Sequence, residues 1–312
     1  MAIAIDPEIL AARAAQGRAV TPFDIIALPT QEGRRLANEA ALFFNDGQPE
    51  IDQVEDRVID GPSGPLRLRL YRPAPRSTGA VLYIHGGGWF ACNADTHDRL
   101  MRSLARDSGL TVIGVDFRLA PEHPFPAALD DCIAASDWVE AEAAALDLDP
   151  DRIAVAGDSA GANLALALTI SRRDRRRRMP AGAALLYGCF APGLETESNR
   201  LFGQGEYGLT TERMDWYWRN YLGAAEAAPL CLAAPLLCAL DRLPPIFLGI
   251  ADADPVADDS RLLHEKLLAA GIDAQLRVWP GTVHGFLQMT RDVGAARDAV
   301  RETAQVLAGW TA

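Results

Sequence analysis

The 312-residue chain predicts an α/β fold: a mostly parallel central sheet with helices on both faces. Three observations carry the prediction. From residue 80 onward, short apolar β-rich runs alternate with longer segments of helical period, as parallel strands joined by crossover helices do. Most of those runs are apolar throughout rather than alternating, which suits strands covered on both sides. Apolar residues make up 49% and charged residues 23% of the chain, the balance of a globular protein with a large core.

The predicted strands are Ala80–Ile84, Thr111–Val115, Ile153–Ala156, Ala183–Tyr187, Ile246–Ile250 and Ala274–Val278. Ahead of them, Ile51–Ile59 and Leu66–Tyr71 flank a Gly-Pro-Ser-Gly turn and read as an antiparallel hairpin leading into the sheet. Residues 1–45 and about 190–225 stand outside the alternation, the second carrying Trp216, Tyr217, Trp218 and Tyr221. Helical, aromatic-rich insertions of this kind read as lids over a site at the strand carboxyl ends, with some of the aromatics serving as core of a helical layer. The expected organisation is a catalytic body at 46–312 and a helical cap built from 1–45 and the insertion at about 190–225.

The net charge of −12 disfavours nucleic acid and anionic membranes as partners. Arg172–Arg178 is the one basic block, and at the end of a predicted helix it reads as a solvated turn favoured by the helix dipole. Apolar stretches such as Pro180–Pro192 are broken by Pro and Gly and fall short of the ~20 residues a membrane helix needs. Asp6, Pro7 and Glu8 interrupt the amino terminus where a secretory signal needs an apolar run, so the expected location is cytoplasmic. The five cysteines, Cys92, Cys132, Cys189, Cys231 and Cys238, are odd in number and lack a Cys-x-x-Cys pair. They predict reduced thiols, with neither a disulfide framework nor a zinc site.

Gly157-Asp158-Ser159-Ala160-Gly161 follows one predicted strand and precedes the helical run Asn163–Ile170. A serine on a sharp strand-to-helix turn, between small neighbours, is lifted clear of the sheet and exposed as a nucleophile. Such a serine needs a base and donors for an oxyanion. His85-Gly86-Gly87-Gly88-Trp89 begins where the strand Ala80–Ile84 ends; consecutive glycines let backbone N–H groups approach a carbonyl oxygen, and Ala160 N–H would join them. A phosphate-binding loop is disfavoured because there is no G-x-G-x-x-G and no Walker lysine. Of the five histidines, chain order of nucleophile, acid, histidine leaves His264 and His284 as bases. His264 lies in the helical run Ser260–Ala270, whereas His284 follows the last strand in a glycine-flanked loop, so His284 is the expected base and His85 a buttress of the glycine loop. The partner acid lies after Ile246–Ile250, where Asp252 and Asp254 are equally placed; the remaining Asp258 and Asp259 read as caps of the next helix.

With these residues assembled, the chain resembles the hormone-sensitive-lipase-like group of bacterial esterases within the α/β-hydrolase fold, over about residues 50–290. The resemblance rests on His85-Gly86-Gly87-Gly88-Trp89, the run Asp116-Phe117-Arg118-Leu119-Ala120-Pro121-Glu122-His123-Pro124-Phe125-Pro126-Ala127, Gly157-Asp158-Ser159-Ala160-Gly161, Asp254-Pro255-Val256 and His284-Gly285-Phe286. It implies Asp254 as the triad acid beside Ser159 and His284, and Gly87, Gly88 and Ala160 as oxyanion donors. It further implies a helical cap, short acyl chains as substrates, and no cofactor or metal. Ala162 and Phe117 depart from the family's usual glycine and tyrosine.

The chemistry these readings imply is ester hydrolysis through an acyl-enzyme on a small-molecule ester, with Trp89, Phe90, Cys92, Asp158 and Trp216 as pocket candidates. Cys92 reads as a packing residue in preference to a reactive thiol. An amidase or aryl-formamidase with the same triad is the nearest alternative, and a non-catalytic small-molecule receptor on a hydrolase fold is another. Physiological substrate, stereopreference and oligomeric state, a homodimer among the options, are not set by the sequence.

Overall fold

In the computed structural model, which describes residues 3–193, 195–223 and 230–312, with nothing described of the Leu230 side chain, eight strands form one sheet. They are β1 (Gln53–Gly61), β2 (Gly64–Arg72), β3 (Ala80–Ile84), β4 (Thr111–Val115), β5 (Ile153–Asp158), β6 (Ala183–Leu186), β7 (Ile246–Ala253) and β8 (Ala274–Val283), in the order β1-β2-β4-β3-β5-β6-β7-β8. The β1–β2 hairpin and the β2–β4 contact are antiparallel, and every pairing from β4 to β8 is parallel. The helices are α1 (Pro7–Ala19), α2 (Thr30–Leu42), α3 (Asp98–Ser108), α4 (Ala127–Ala141), α5 (Ala160–Asp174), α6 (Glu197–Phe202), α7 (Thr211–Leu222), α8 (Leu230–Ala233), α9 (Ala257–Ala269) and α10 (Gly294–Trp310). Met1 and Ala2 of the 1–45 segment, and Leu194, Ala224 and Ala225 of the 190–225 segment, lie outside the described residues. Among those described, no helix is long and apolar enough to cross a membrane.

Side chains alternate across a strand, and this divides the interior into two cores. Val81 and Tyr83 of β3 join Val112 of β4 and the apolar faces of α3 and α10. Leu82 and Ile84 join Ile113, Val155 and Leu185 against α4, α5 and α9. Every residue of α5 from Ala160 to Arg172 is buried, so its continuous apolar sequence, rich in Ala and Leu, is that of a helix enclosed on all sides.

The basic block departs from the solvated turn expected of it. Arg172 is buried and pairs with Asp137 and Glu140, so its charge is taken up between α5 and α4, while Arg175–Arg177 stay exposed. The cysteine reading is corrected as well. Cys231 and Cys238 form a disulfide with Cα atoms 4.9 Å apart, a separation that permits a bridge; seven residues of spacing without a Cys-x-x-Cys motif carry no signal of it.

Strands β5, β7 and β8 run past their predicted ends, to Asp158, Ala253 and Val283. Those extensions deliver the chain to Ser159, Asp254 and His284. A register shift between Ala251 and Ala253 in the β7–β8 ladder re-aims the end of β7 just before Asp254, as bulges beside functional sites commonly do.

The elbow after β5 tolerates no side chain at Gly161, because a Cβ there would sit 2.0 Å from the Ile84 carbonyl oxygen and 2.6 Å from that of His85. Gly309 in α10 faces open space. Gly161→Ala is therefore expected to cost ~2 kcal/mol or more through overpacking, while Gly309→Ala adds ~0.5 kcal/mol by helix propensity. Thermal and urea melts of the two variants check this; equal shifts would refute the close approach at Gly161.

Candidate active site

Ser159 has φ 54° and ψ −120°, a conformation that costs a non-glycine residue free energy and is held by its surroundings. Gly157 and Gly161 on either side let the turn pass against the end of β3, since a Cβ on Gly157 would meet the Gly161 carbonyl carbon at 2.5 Å. Ser159 N–H donates to Leu186 O at 2.8 Å, which locks the strained residue onto β6.

The structure brings three sequence-predicted side chains into one line. Ser159 Oγ lies 2.8 Å from His284 Nε2, and His284 Nδ1 lies 2.7 Å from Asp254 Oδ2. Asp254 is fully buried, and its other oxygen accepts Val256 N–H at 3.0 Å. Geometry thereby separates the two aspartates that the residues alone left equal: Asp252 Oδ2 accepts Gly281 N–H at 3.1 Å and so braces the turn before His284. Burial disfavours the charged imidazole, but the Asp254 carboxylate and its hydrogen bond, with the charge of Asp158 behind them, outweigh it, and the His284 pKa stands above its ordinary value. His264 Nε2 instead meets Ala274 O at 3.1 Å, a helix residue tied to the neighbouring strand.

The glycine loop after β3 reaches the same end of the sheet. Gly87 and Gly88 line the cavity that holds Ser159 and His284, and Gly87, at φ 115°, has Ala91 O where a Cβ would stand, 2.2 Å away. Ala160 is the first residue of α5, so its N–H has no partner inside the helix. His85 lies behind the loop, fully buried, with its ring stacked on Phe117 at 4.3 Å and Nδ1 at 2.7 Å from Gly86 O. Burial, aided by His97, lowers its pKa to about 3, so it is a neutral spacer.

Asp158 is the buried knot of the site. Its Oδ1 accepts Tyr83 O–H at 2.8 Å and Gly86 N–H at 3.0 Å, with His97 Nε2 3.4 Å away, and Oδ2 accepts Tyr187 O–H at 3.3 Å. Burial alone would raise its pKa, but His97 and the Tyr83 hydrogen bond prevail and hold the carboxyl below its usual range.

The cavity above Ser159 has a volume of about 620 Å³, within the ordinary range of small-molecule sites. Its walls come from α1, α2, the segment before α7, α7 itself and the loops after β3 and β8. Of the five pocket candidates, Asp158 and Cys92 line it. Trp89, Phe90 and Trp216 do not. Trp89 is fully buried and stacked on Tyr221 at 4.1 Å, and Phe90 packs edge-on to Trp216 at 4.8 Å. Tyr217, one of the cap aromatics but not singled out as a pocket residue, takes their place, its ring lying where a Cβ on Gly88 would be. The signal was available: Met214, Tyr217, Trp218 and Tyr221 form one helical stripe with Trp216 off it. Burial pushes the Cys92 thiol up to about 12, which suits a packing role over a reactive one.

Two contacts tie the outer segments to the site. Arg34 on α2 donates to Phe90 O at 2.7 Å and to Ala120 O at 3.0 Å, and also pairs with Glu122. Asp258 and Asp259 do not cap α9 with their side chains as expected. Asp258 accepts Ser198 N–H at 2.9 Å and Asp259 accepts Phe190 N–H at 2.7 Å, because these carboxylates face the 190–202 segment instead of the first turn of their own helix; burial pushes the Asp259 pKa up to about 7.

A family model described as the α/β hydrolase fold matches residues 81–288. Acetyl esterases of Salmonella paratyphi B and Salmonella typhi are each 39% identical over 271 residues, covering 84% of this chain and 82% of theirs. The hyperthermophilic esterase of the archaeon Pyrobaculum calidifontis superposes with a TM-score of 0.92 at 33% identity, covering 98% of this chain and 99% of that one. A thermostable carboxylesterase cloned from a metagenomic library gives 0.88 at 38% identity, covering 92% and 99%. Family match, sequence identity and fold agree, and the chain belongs to the hormone-sensitive-lipase-like carboxylesterases of the α/β-hydrolase fold.

Proposed function

We propose that this carboxylesterase hydrolyses short-chain acyl esters through an acyl-enzyme on Ser159, with His284 as general base and Asp254 as its orienting partner. The observation that carries the reading is the unbroken line from Ser159 Oγ through His284 to Asp254, with contacts of 2.8 and 2.7 Å, opening on the cavity described above. Ser159 attacks the ester carbonyl as His284 Nε2 takes its proton; the carbonyl oxygen gains the electron pair and is held by N–H groups of Gly87, Gly88 and Ala160. The intermediate collapses, His284 returns the proton to the departing alcohol, and the acyl group stays on Ser159. Water then repeats the sequence and releases the acid. Asp254 accepts Nδ1–H throughout, fixing the tautomer and stabilising the imidazolium.

The short-acyl reading is supported by relatives named acetyl esterases. The division into a body at 46–312 and a cap from 1–45 and about 190–225 is supported by the cavity walls, which draw on both outer segments. A cytoplasmic location is part of the reading, and the Cys231–Cys238 disulfide weighs against it.

Ser159→Ala is expected to lower kcat for p-nitrophenyl butyrate by ~10⁴-fold or more; an unchanged rate ends the mechanism. Across acyl lengths, acetate and butyrate esters are expected to outpace laurate, and a maximum at laurate would refute the short-chain preference. The base works only when neutral, so activity falls as pH drops through the His284 pKa. Because Asp254 raises that pKa, the acid limb of kcat/KM is expected above the ordinary imidazole value. In Asp254→Asn the raising charge is gone, and the limb of the residual activity moves to lower pH. A limb that stays put would show that Asp254 does not set the charge state of His284.

A further inference from the structure

Two cations face the cavity of the proposed hydrolase with no carboxylate among the described residues to meet them. Arg13 comes from α1 and Arg213 from α7, elements far apart in the chain, and both line the same 620 Å³ space as Ser159 and His284. Arg213 Nε is buried with no hydrogen-bond partner. Burial lowers the pKa of Arg13, and no neighbouring acid opposes it. The guanidinium of Arg13 lies against Gly208, where a Cβ would come within 2.9 Å of Nη2, so a bare backbone makes room for it at the cavity wall. Elsewhere inward-turned guanidiniums find carboxylates, as Arg118 does on Asp131 and Arg172 on Asp137.

The cavity treats the two signs of charge differently from the rest of the chain. Acidic residues outnumber basic ones by 42 to 30 overall, yet the only carboxylate among the described lining residues is Asp158, which is committed to Tyr83, Gly86 and Tyr187. A half-buried, unpaired guanidinium pays a desolvation cost that an incoming anion would offset, and planar guanidinium donors match a carboxylate better than any neutral group does.

We propose that this esterase selects esters bearing a carboxylate remote from the scissile bond, held by Arg13 and Arg213. The inference rests on ester hydrolysis at Ser159 and adds the substrate class. The carboxylate belongs to either the acyl or the alcohol part, and two isosteric pairs separate these sources. On the acyl side, the mono-p-nitrophenyl ester of adipic acid is compared with p-nitrophenyl hexanoate. On the alcohol side, 4-acetoxybutanoate is compared with butyl acetate, with acid release followed by pH-stat.

In the wild-type enzyme at low salt, kcat/KM for the anionic member is expected to exceed that for its neutral isostere by ~10-fold or more in one pair, the order of one charge-assisted hydrogen bond. Added salt should shrink the ratio. Arg13→Gln and Arg213→Gln should each lower the anionic-to-neutral ratio by ~10-fold, whatever happens to the individual rates, and Arg213→Lys should restore part of it. The proposal is overturned if the wild type shows no anionic preference in either pair, or if the ratio survives both glutamine substitutions. Since the wild-type ratio is read first, a variant that does not fold leaves that ratio and its salt dependence to decide. Loss of turnover on the neutral esters by the wild type would strike instead at hydrolysis by Ser159, a separate failure.

Discussion

The site is tied together by one buried carboxylate, that of Asp158. Asp158 is the last residue of β5, immediately before Ser159, and it accepts the N–H of Gly86 from the loop after β3. One side chain therefore ties the serine turn to the glycine loop after β3. The side-chain donors come from three places, Tyr83 on β3, Tyr187 after β6 and His97 beside α3, so the knot also ties together the strand ends that flank the elbow. An anion in such a place is tolerated only when its hydrogen bonds are complete, which explains why its partners are drawn from so many elements. It also explains the sign of its electrostatic influence: the same negative charge that is neutralised locally helps to raise the basicity of His284.

Around that knot the sheet does the rest of the positioning. β3 and β5 are neighbours, as are β7 and β8, with β6 between the pairs, so the glycine loop, Ser159, Asp254 and His284 all leave one end of the sheet within a few strand widths. Strand spacing of roughly 4.8 Å sets the scale on which three side chains can meet without long reach. The strain at Ser159 is sustained because Gly157 and Gly161 let β3 pack directly on the turn, and α5 behind it is buried along its length. A rigid interior at the elbow is what permits an unfavourable backbone conformation to persist.

Much of this was legible in the sequence. Ala80–Ile84 and Thr111–Val115 were read to the residue because continuous apolar runs bounded by polar turns have few alternatives. The longer ends of β5 and β7 were not, since Gly157, Asp158, Ala251, Asp252 and Ala253 are types depleted in strands, and in β8 Pro280 and Gly281 interrupt the run before Val283; strand conformation there comes from tertiary pairing. Serine and histidine were recognisable from glycine-flanked loops after strands. The residues alone left Asp252 and Asp254 equal, and it was the resemblance at Asp254-Pro255-Val256 that chose Asp254, the aspartate that meets His284. The aromatic residues misled for a different reason. Trp89, Phe90 and Trp216 look like pocket walls by size, but which face of α7 meets the glycine loop is decided by its docking, and the stripe of Met214, Tyr217, Trp218 and Tyr221 is the one that turns inward.

The arginines of the cavity mark the limit of local reading most clearly. Nothing near Arg13 or Arg213 in sequence distinguishes them from the many surface arginines of the chain; their meaning arises only when α1 and α7 close over the same space. The outer segments are fastened by contacts that do not involve these residues, Arg34 to the glycine loop and Asp258 and Asp259 to the 190–202 segment. Structural anchoring and cavity charge are thus carried by separate side chains. Ser159, Asp254 and His284 draw their support from β-strand ends, whereas Arg13 and Arg213 are carried by helices. The selectivity of the pocket is in that sense written on the helical layer, and the chemistry on the sheet.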